Sequence, residues 1–129
     1  MIDASALVAM MLDEPDADRL NEIIIRSTVR LTSGIALWET SSRLQREATA
    51  TDVDRELARF LELWQVRTIS IGAVEARIAS DARRRYGSGK NGLNMGDCFA
   101  YACAKANSVP LLYIGNDFPK TDINDGYTL

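Results

Sequence analysis

The chain has 129 residues, 47% of them hydrophobic, enough to bury one core and too few for two domains of ordinary size, so residues 1–129 read as one domain. Histidine is absent, which excludes Ser-His-Asp and Cys-His nucleophilic systems and histidine zinc sites and leaves carboxylates, hydroxyls, amines or an oxygen-held metal to do any chemistry. With 15 basic residues against 18 acidic ones the formal charge is −3, so a nucleic acid would be held locally and not by general phosphate neutralisation.

In chain order, short apolar runs alternate with longer amphipathic ones, the pattern of an α/β fold with a mostly parallel sheet. Met1, Ile2 and Asp3 form a very short strand end. Residues 4–12 and 15–26 follow as helices, with Pro15 near the first turn of the second. Residues 29–32 read as a strand, and Ser33 as the N-cap of a helix reaching about Ala48. Thr51 or Asp52 opens another, carrying Leu57, Phe60, Leu61 and Trp64 at helical spacing. Residues 66–71 suit a strand and residues 72–86 a helix; Gly87, Gly89 and Gly92 then argue for an irregular, mobile connection. Asn94 caps a helix to about Asn107, in which Cys98 and Cys103 point in different directions and form no mutual disulfide. Residues 110–114 are the best buried-strand candidate, ending at the turn-forming Gly115, Asn116 and Asp117. The tally is four or five short strands, the fifth falling in an irregular tail over residues 122–129. No apolar run approaches the roughly 18 residues of a membrane span, and the opening residues lack signal-peptide regions, so a soluble cytoplasmic protein is expected.

In open parallel sheets the ligand site lies outside the carboxyl ends of the strands, which directs attention to four acids. Asp3 and Asp117 each follow an apolar strand candidate. Taken singly, Asp3 also fits an N-cap and Asp117 a turn with Asn116. Asp97 falls in the first turn of a helix, where a carboxylate is favoured by the helix dipole, and Glu39 has Arg43 one turn on for a surface pair. Each therefore has an ordinary explanation alone. Together they make a different case, because this layout can bring two strand-end and two helix-borne carboxylates to one sheet edge. Such a cluster repels itself unless a divalent cation neutralises it, and oxygen-only ligands suit Mg²⁺ or Mn²⁺ better than zinc. The chemistry this implies is phosphoryl transfer.

The cations comprise twelve arginines and three lysines, densest at Arg83, Arg84 and Arg85 and followed by Lys90. Two readings stand beside each other: a solvated helix end favoured by the macrodipole, or a patch that contacts substrate.

Ile2 to Ala9 (Ile2, Asp3, Ala4, Ser5, Ala6, Leu7, Val8, Ala9) resembles the opening of PIN-domain toxins of the VapC type, and Glu14, Pro15, Asp16 and Ala17 continue the likeness. Its most specific part is Arg85, Tyr86, Gly87, Ser88 and Gly89 followed by Leu93, Asn94, Met95, Gly96, Asp97, Cys98 and Phe99. Pro110, Leu111, Leu112 and Tyr113, then Gly115, Asn116, Asp117, Phe118, Thr121 and Asp122, complete it. The resemblance implies a PIN-like fold, with a central mostly parallel sheet of four or five short strands flanked by helices. It also implies Mg²⁺- or Mn²⁺-dependent RNA cleavage, a homodimer and neutralisation by a VapB-type antitoxin. Carried over by position, the family's acidic metal-binding set falls on Asp3, Glu39, Asp97 and Asp117; Ser5 matches a hydroxyl that orders the site, and Asp122 a recurring supporting acid.

Ile23, Ile24 and Ile25, and residues 8–12, spread apolar groups around more of the helix circumference than one core stripe hides. Packing between the two helices or a partner's helix in a groove would both explain this, and the resemblance points to the antitoxin. The alternative to a catalytic domain is a non-catalytic PIN-like module that binds RNA or protein. A receiver domain would want adjacent acids after the first strand, and a haloacid-dehalogenase-type phosphatase a second aspartate where Ser5 stands.

Overall fold

A computed structural model describes residues 1–123 of the chain. The elements are α1 (Ala4–Met11), α2 (Ala17–Arg26), β1 (Leu31–Ser33), α3 (Gly34–Leu44), α4 (Ala50–Leu63), β2 (Arg67–Ile69), α5 (Ala73–Tyr86) and α6 (Met95–Ala106). The predicted helices are all present, with shifted ends. α3 stops at Leu44 instead of about Ala48, and α4 starts earlier than expected because Thr49 caps it, its hydroxyl accepting from the Asp52 N–H at 3.3 Å.

Fewer regular strands form among the described residues than the four or five the sequence suggests. Among the described residues, β1 and β2 pair in parallel, and Ile2 and Leu112 form an isolated parallel bridge. Backbone hydrogen bonds nonetheless line up four extended segments. Residues 1–3 lie between β1 (Ile2 N to Leu31 O, 2.7 Å) and residues 110–114 (Asp3 N to Leu112 O, 2.9 Å; Leu112 N to Met1 O, 2.8 Å). The expected fifth strand falls beyond residue 123, outside the described residues.

Alternation across this layer sorts the core into two halves. Met1, Leu31 and Leu111 face α5 and α6, packing with Ala79, Ala82, Leu93 and Tyr101. Ile2 and Leu112 face the other way, onto Leu7, Leu20 and Ile24 of α1 and α2. Leu7, Leu20, Ile24, Leu93 and Leu111 are fully buried, and each such side chain contributes about 1.5–3 kcal/mol of hydrophobic stabilisation. Of the isoleucine run, Ile23 and Ile24 belong to the core and only Ile25 stands out, 64% exposed. The expectation of an apolar surface spread over that run is thus corrected: helix packing hides two of the three. Cys98 and Cys103 are both buried free thiols. No helix among the described residues is long and apolar enough to cross a membrane.

Candidate active site at the carboxyl edge of the sheet

Asp3 ends the first extended segment and caps α1. Its backbone is extended (φ −78°, ψ 159°), and its Oδ2 accepts from the Ser5 N–H at 3.0 Å and the Ser5 hydroxyl at 2.6 Å. The same hydroxyl oxygen accepts from the Ile114 N–H at 3.0 Å, so Ser5 ties the first helix to the end of the 110–114 segment. Asp3 is only 6% exposed. Burial pushes its carboxyl above the usual range, the Ser5 hydrogen bonds pull it back, and the charge of Asp117 raises it further.

Ser33 caps α3, its hydroxyl accepting from the Ala36 N–H at 3.2 Å, and α3 carries Glu39. The surface partner that spacing suggested is engaged elsewhere: Arg43 pairs with Glu47 at 2.8 Å. Glu39 instead packs on α6, at Gly96. A Cβ at position 96 would overlap the Glu39 carboxylate, which leaves glycine as the residue that admits it. Burial, with the charges of Asp3 and Asp97, pushes the Glu39 carboxyl up to about 7.

Asp97 sits in the first turn of α6 in a reciprocal cap. Its Oδ2 accepts from the Asn94 N–H at 2.8 Å, and its own N–H donates to Asn94 Oδ1 at 2.9 Å. Burial raises its carboxyl, the Asn94 N–H opposes this, Asp3 and Asp117 raise it further, and Lys120 lowers it. Asp117, half-buried, lies beyond the end of the 110–114 segment. The charges of Asp3, Glu39, Asp97 and Asp117 thus act on one another as one group drawn from four separate parts of the chain.

By residue type this group fits a hard divalent cation: all donors are carboxylate oxygens, and the chain has no histidine to favour zinc. As the side chains stand, no three acids among the described residues close into a metal-holding group. The hydrogen bonds explain part of this, since one oxygen of Asp3 is turned to Ser5 and one of Asp97 to Asn94.

Asp122 stands apart from the four. It accepts from Tyr101 Oη at 2.6 Å and Lys105 Nζ at 3.1 Å, with Arg85 at 4.0 Å. Its carboxyl is lowered to about 2, chiefly by the Tyr101 hydrogen bond, and it braces the chain after Asp117 against α6. Of the predicted basic patch, Arg83 donates to the Leu93 carbonyl at 2.6 Å, while Arg84 and Arg85 pair with Asp81 at 3.0 and 3.5 Å. Lys90 is exposed. The glycine loop is irregular but tied down: Leu93 N–H donates to the Tyr86 carbonyl at 3.0 Å, and Gly92 packs so closely on the Gly87 carbonyl that a Cβ would lie 2.6 Å from it.

Two residues escaped the sequence reading. Gly96 carried a signal, since a glycine within a helical pattern gives up helix propensity to alanine and calls for a packing reason. Lys120 carried a weaker one, as the lysine three residues after Asp117.

An α/β domain that gathers coupled acids from four separate parts of the chain at one sheet edge is a defined class. The model of the PIN domain matches residues 1–124. Ribonuclease VapC30 of Mycobacterium tuberculosis is 41% identical over 125 residues, covering 95% of each chain. Ribonuclease VapC of Mycolicibacterium smegmatis is 40% identical, covering 95% of this chain and 96% of its own. The chain belongs to the PIN-domain family, in its VapC branch. The crystal structure of Mycobacterium tuberculosis VapC20, a sarcin-ricin loop cleaving toxin, superposes with a TM-score of 0.77 over 96% of this chain and 95% of its own; at 16% identity this is a likeness of fold.

Proposed function

We propose that this chain is a metal-dependent endoribonuclease, the toxin of a toxin–antitoxin pair, acting in the cytoplasm as one PIN domain over residues 1–129. The observation that carries the reading is Glu39: half-buried, paired with no base among the described residues, and seated on Gly96 with the charges of Asp3 and Asp97 acting on it. A structural carboxylate is given a cationic or hydrogen-bonding partner; one kept among like charges suits a divalent cation. The names of the VapC relatives support RNA as the substrate.

A bound Mg²⁺ or Mn²⁺ supplies water acidified towards neutrality and neutralises charge on the phosphodiester. Asp3, Glu39, Asp97 and Asp117 are the residues that would hold it. Ser5 orients Asp3 through two hydrogen bonds, and the Asn94 N–H orients Asp97. Without the cation, burial and the neighbouring acids raise the Glu39 carboxyl to about 7, and a bound cation would take the place of that proton. Arg83, Arg84, Arg85 and Lys90 flank the glycine loop that leads into Asp97 in the sequence and offer cations to the RNA backbone, with two of the arginines already shared with Asp81. A second copy of the chain and a VapB-type antitoxin complete the assembly; the exposed Ile25 and Val29 are apolar groups left for a protein partner.

The test is cleavage of a panel of structured RNAs by wild type and Asp97→Asn. Wild type cuts with Mg²⁺ or Mn²⁺ and not in EDTA, and the variant loses more than about 100-fold, as expected for a metal-ligand change. Wild-type cleavage in EDTA, or an unimpaired variant, would overturn the reading.

A further inference from the structure

Lys120 stands in the turn that follows Asp117, and that turn is fixed on both sides of it. Phe118 is 2% exposed and packs on Tyr113 with ring centroids 4.7 Å apart. Thr121 closes on the Phe118 carbonyl with its N–H at 2.8 Å and its hydroxyl at 2.7 Å. Asp122 is clamped by Tyr101 and Lys105. Held this way, Lys120 reaches across to the loop that leads into α6, where its Nζ donates to the Asn91 carbonyl. The contact joins the segment that follows Asp117 to the one that precedes Asp97.

An ammonium group has three donors, and Lys120 uses one of them on a neutral carbonyl. Among the described residues it makes no ion pair, unlike Lys105 and Arg85, whose charges are taken up by Asp122. Yet it lies close enough to the acids for Asp97 to feel its charge. A chain of net charge −3 with clustered acids repels a polyanion, so a cation held at that edge by the Asn91 carbonyl has a local effect that no general basic surface supplies.

We propose that Lys120 is a substrate-binding residue, its ammonium mounted on the Asn91 carbonyl beside the acid group to take a phosphate of the RNA strand. This rests on the ribonuclease reading. The experiment is steady-state cleavage of a mixed-sequence RNA oligonucleotide bearing a fluorophore and a quencher, by wild type, Lys120→Gln and Lys120→Arg, at several salt concentrations. Lys120→Gln raises KM roughly three- to tenfold with kcat within about twofold, the loss expected for one charged phosphate contact. Its plot of log kcat/KM against log salt is shallower by about 0.7, the slope of one single-strand phosphate. Lys120→Arg keeps both wild-type values. Unchanged KM and salt slope in Lys120→Gln, or a fall in kcat alone, overturns the assignment while leaving the nuclease intact. If the wild type cuts no RNA, the ribonuclease reading falls and this one with it.

Discussion

The carboxylate of Glu39 lies against the α-carbon of Gly96, on the space a side chain at that position would fill. The obstacle to a larger residue is the flexible end of a glutamate and not backbone, so Gly96→Ala is accommodated by Glu39 swinging away. At the second residue of α6 alanine also gains part of the about 1 kcal/mol by which it exceeds glycine in a helix interior. The variant therefore melts at or slightly above wild type, while RNA cleavage falls at least about tenfold because one acid leaves the group. Thermal melts read beside a cleavage assay check this, and full activity in Gly96→Ala would show that the seating of Glu39 is irrelevant.

Glu39 also predicts how stability depends on pH. Its carboxyl is raised from the usual 4.5 to about 7, so between those values the folded chain binds more protons than the unfolded one. The stabilising contribution is complete below about 4.5 and is lost as pH rises through about 7. In EDTA, the melting temperature of Glu39→Gln relative to wild type should climb across that window, by about 2–5 °C. A constant difference from pH 4.5 to 8 would mean that Glu39 is not held among like charges.

The helices and the caps that hold Asp3 and Asp97 were legible because their signals are local. Asp3 before an apolar helix, and Asn94 with Asp97 three residues on, state their caps in the sequence, and both caps form. The sheet was overstated. Residues 66–71 contract to a three-residue strand, and residues 110–114 to one bridge, because each segment exchanges only a few hydrogen bonds and Pro110 brings no N–H to the ladder. The i,i+4 rule misled at Glu39. It favours an acid four residues before a base, whereas Arg43 turned to Glu47 four residues after it. Sequence spacing allows either partner, and the packing of Glu39 on α6 overrides the preferred one.

Ser5 joins two parts of the site through one hydroxyl, donating to Asp3 and accepting from the Ile114 N–H. Ser5→Ala removes both bonds, leaving Asp3 with backbone N–H donors only and Ile114 without its acceptor. Loss of two partly buried hydrogen bonds is expected to cost about 1–3 kcal/mol. Cleavage should fall by about 10–100-fold, the usual effect of removing the group that orients a metal-binding side chain. Denaturant unfolding and cleavage rates measure the two effects, and Ser5→Thr, which keeps the hydroxyl, should recover part of both. A destabilised but fully active Ser5→Ala would limit Ser5 to a structural role.

Metal addition separates repulsion from ligation. In Asp97→Asn the amide oxygen still accepts from the Asn94 N–H, so the reciprocal cap keeps that bond while one negative charge leaves the group. The helix N-terminus loses a favourable carboxylate, a change of about 0.3–1 kcal/mol. Against this, Asp97 sits among Asp3, Glu39 and Asp117, and the rise in its carboxyl shows that its charged form is disfavoured there. In EDTA the variant should thus melt no lower than wild type. Mg²⁺ or Mn²⁺ then reverses the order, because the ion binds only the folded wild-type group. At ten times its dissociation constant the wild type gains about 1.4 kcal/mol, which is roughly 3–6 °C for a chain of this size. The variant gains little. Equal shifts in both proteins would place the ion away from Asp97, and no shift in either, at millimolar metal, would deny the acid group a metal-binding role.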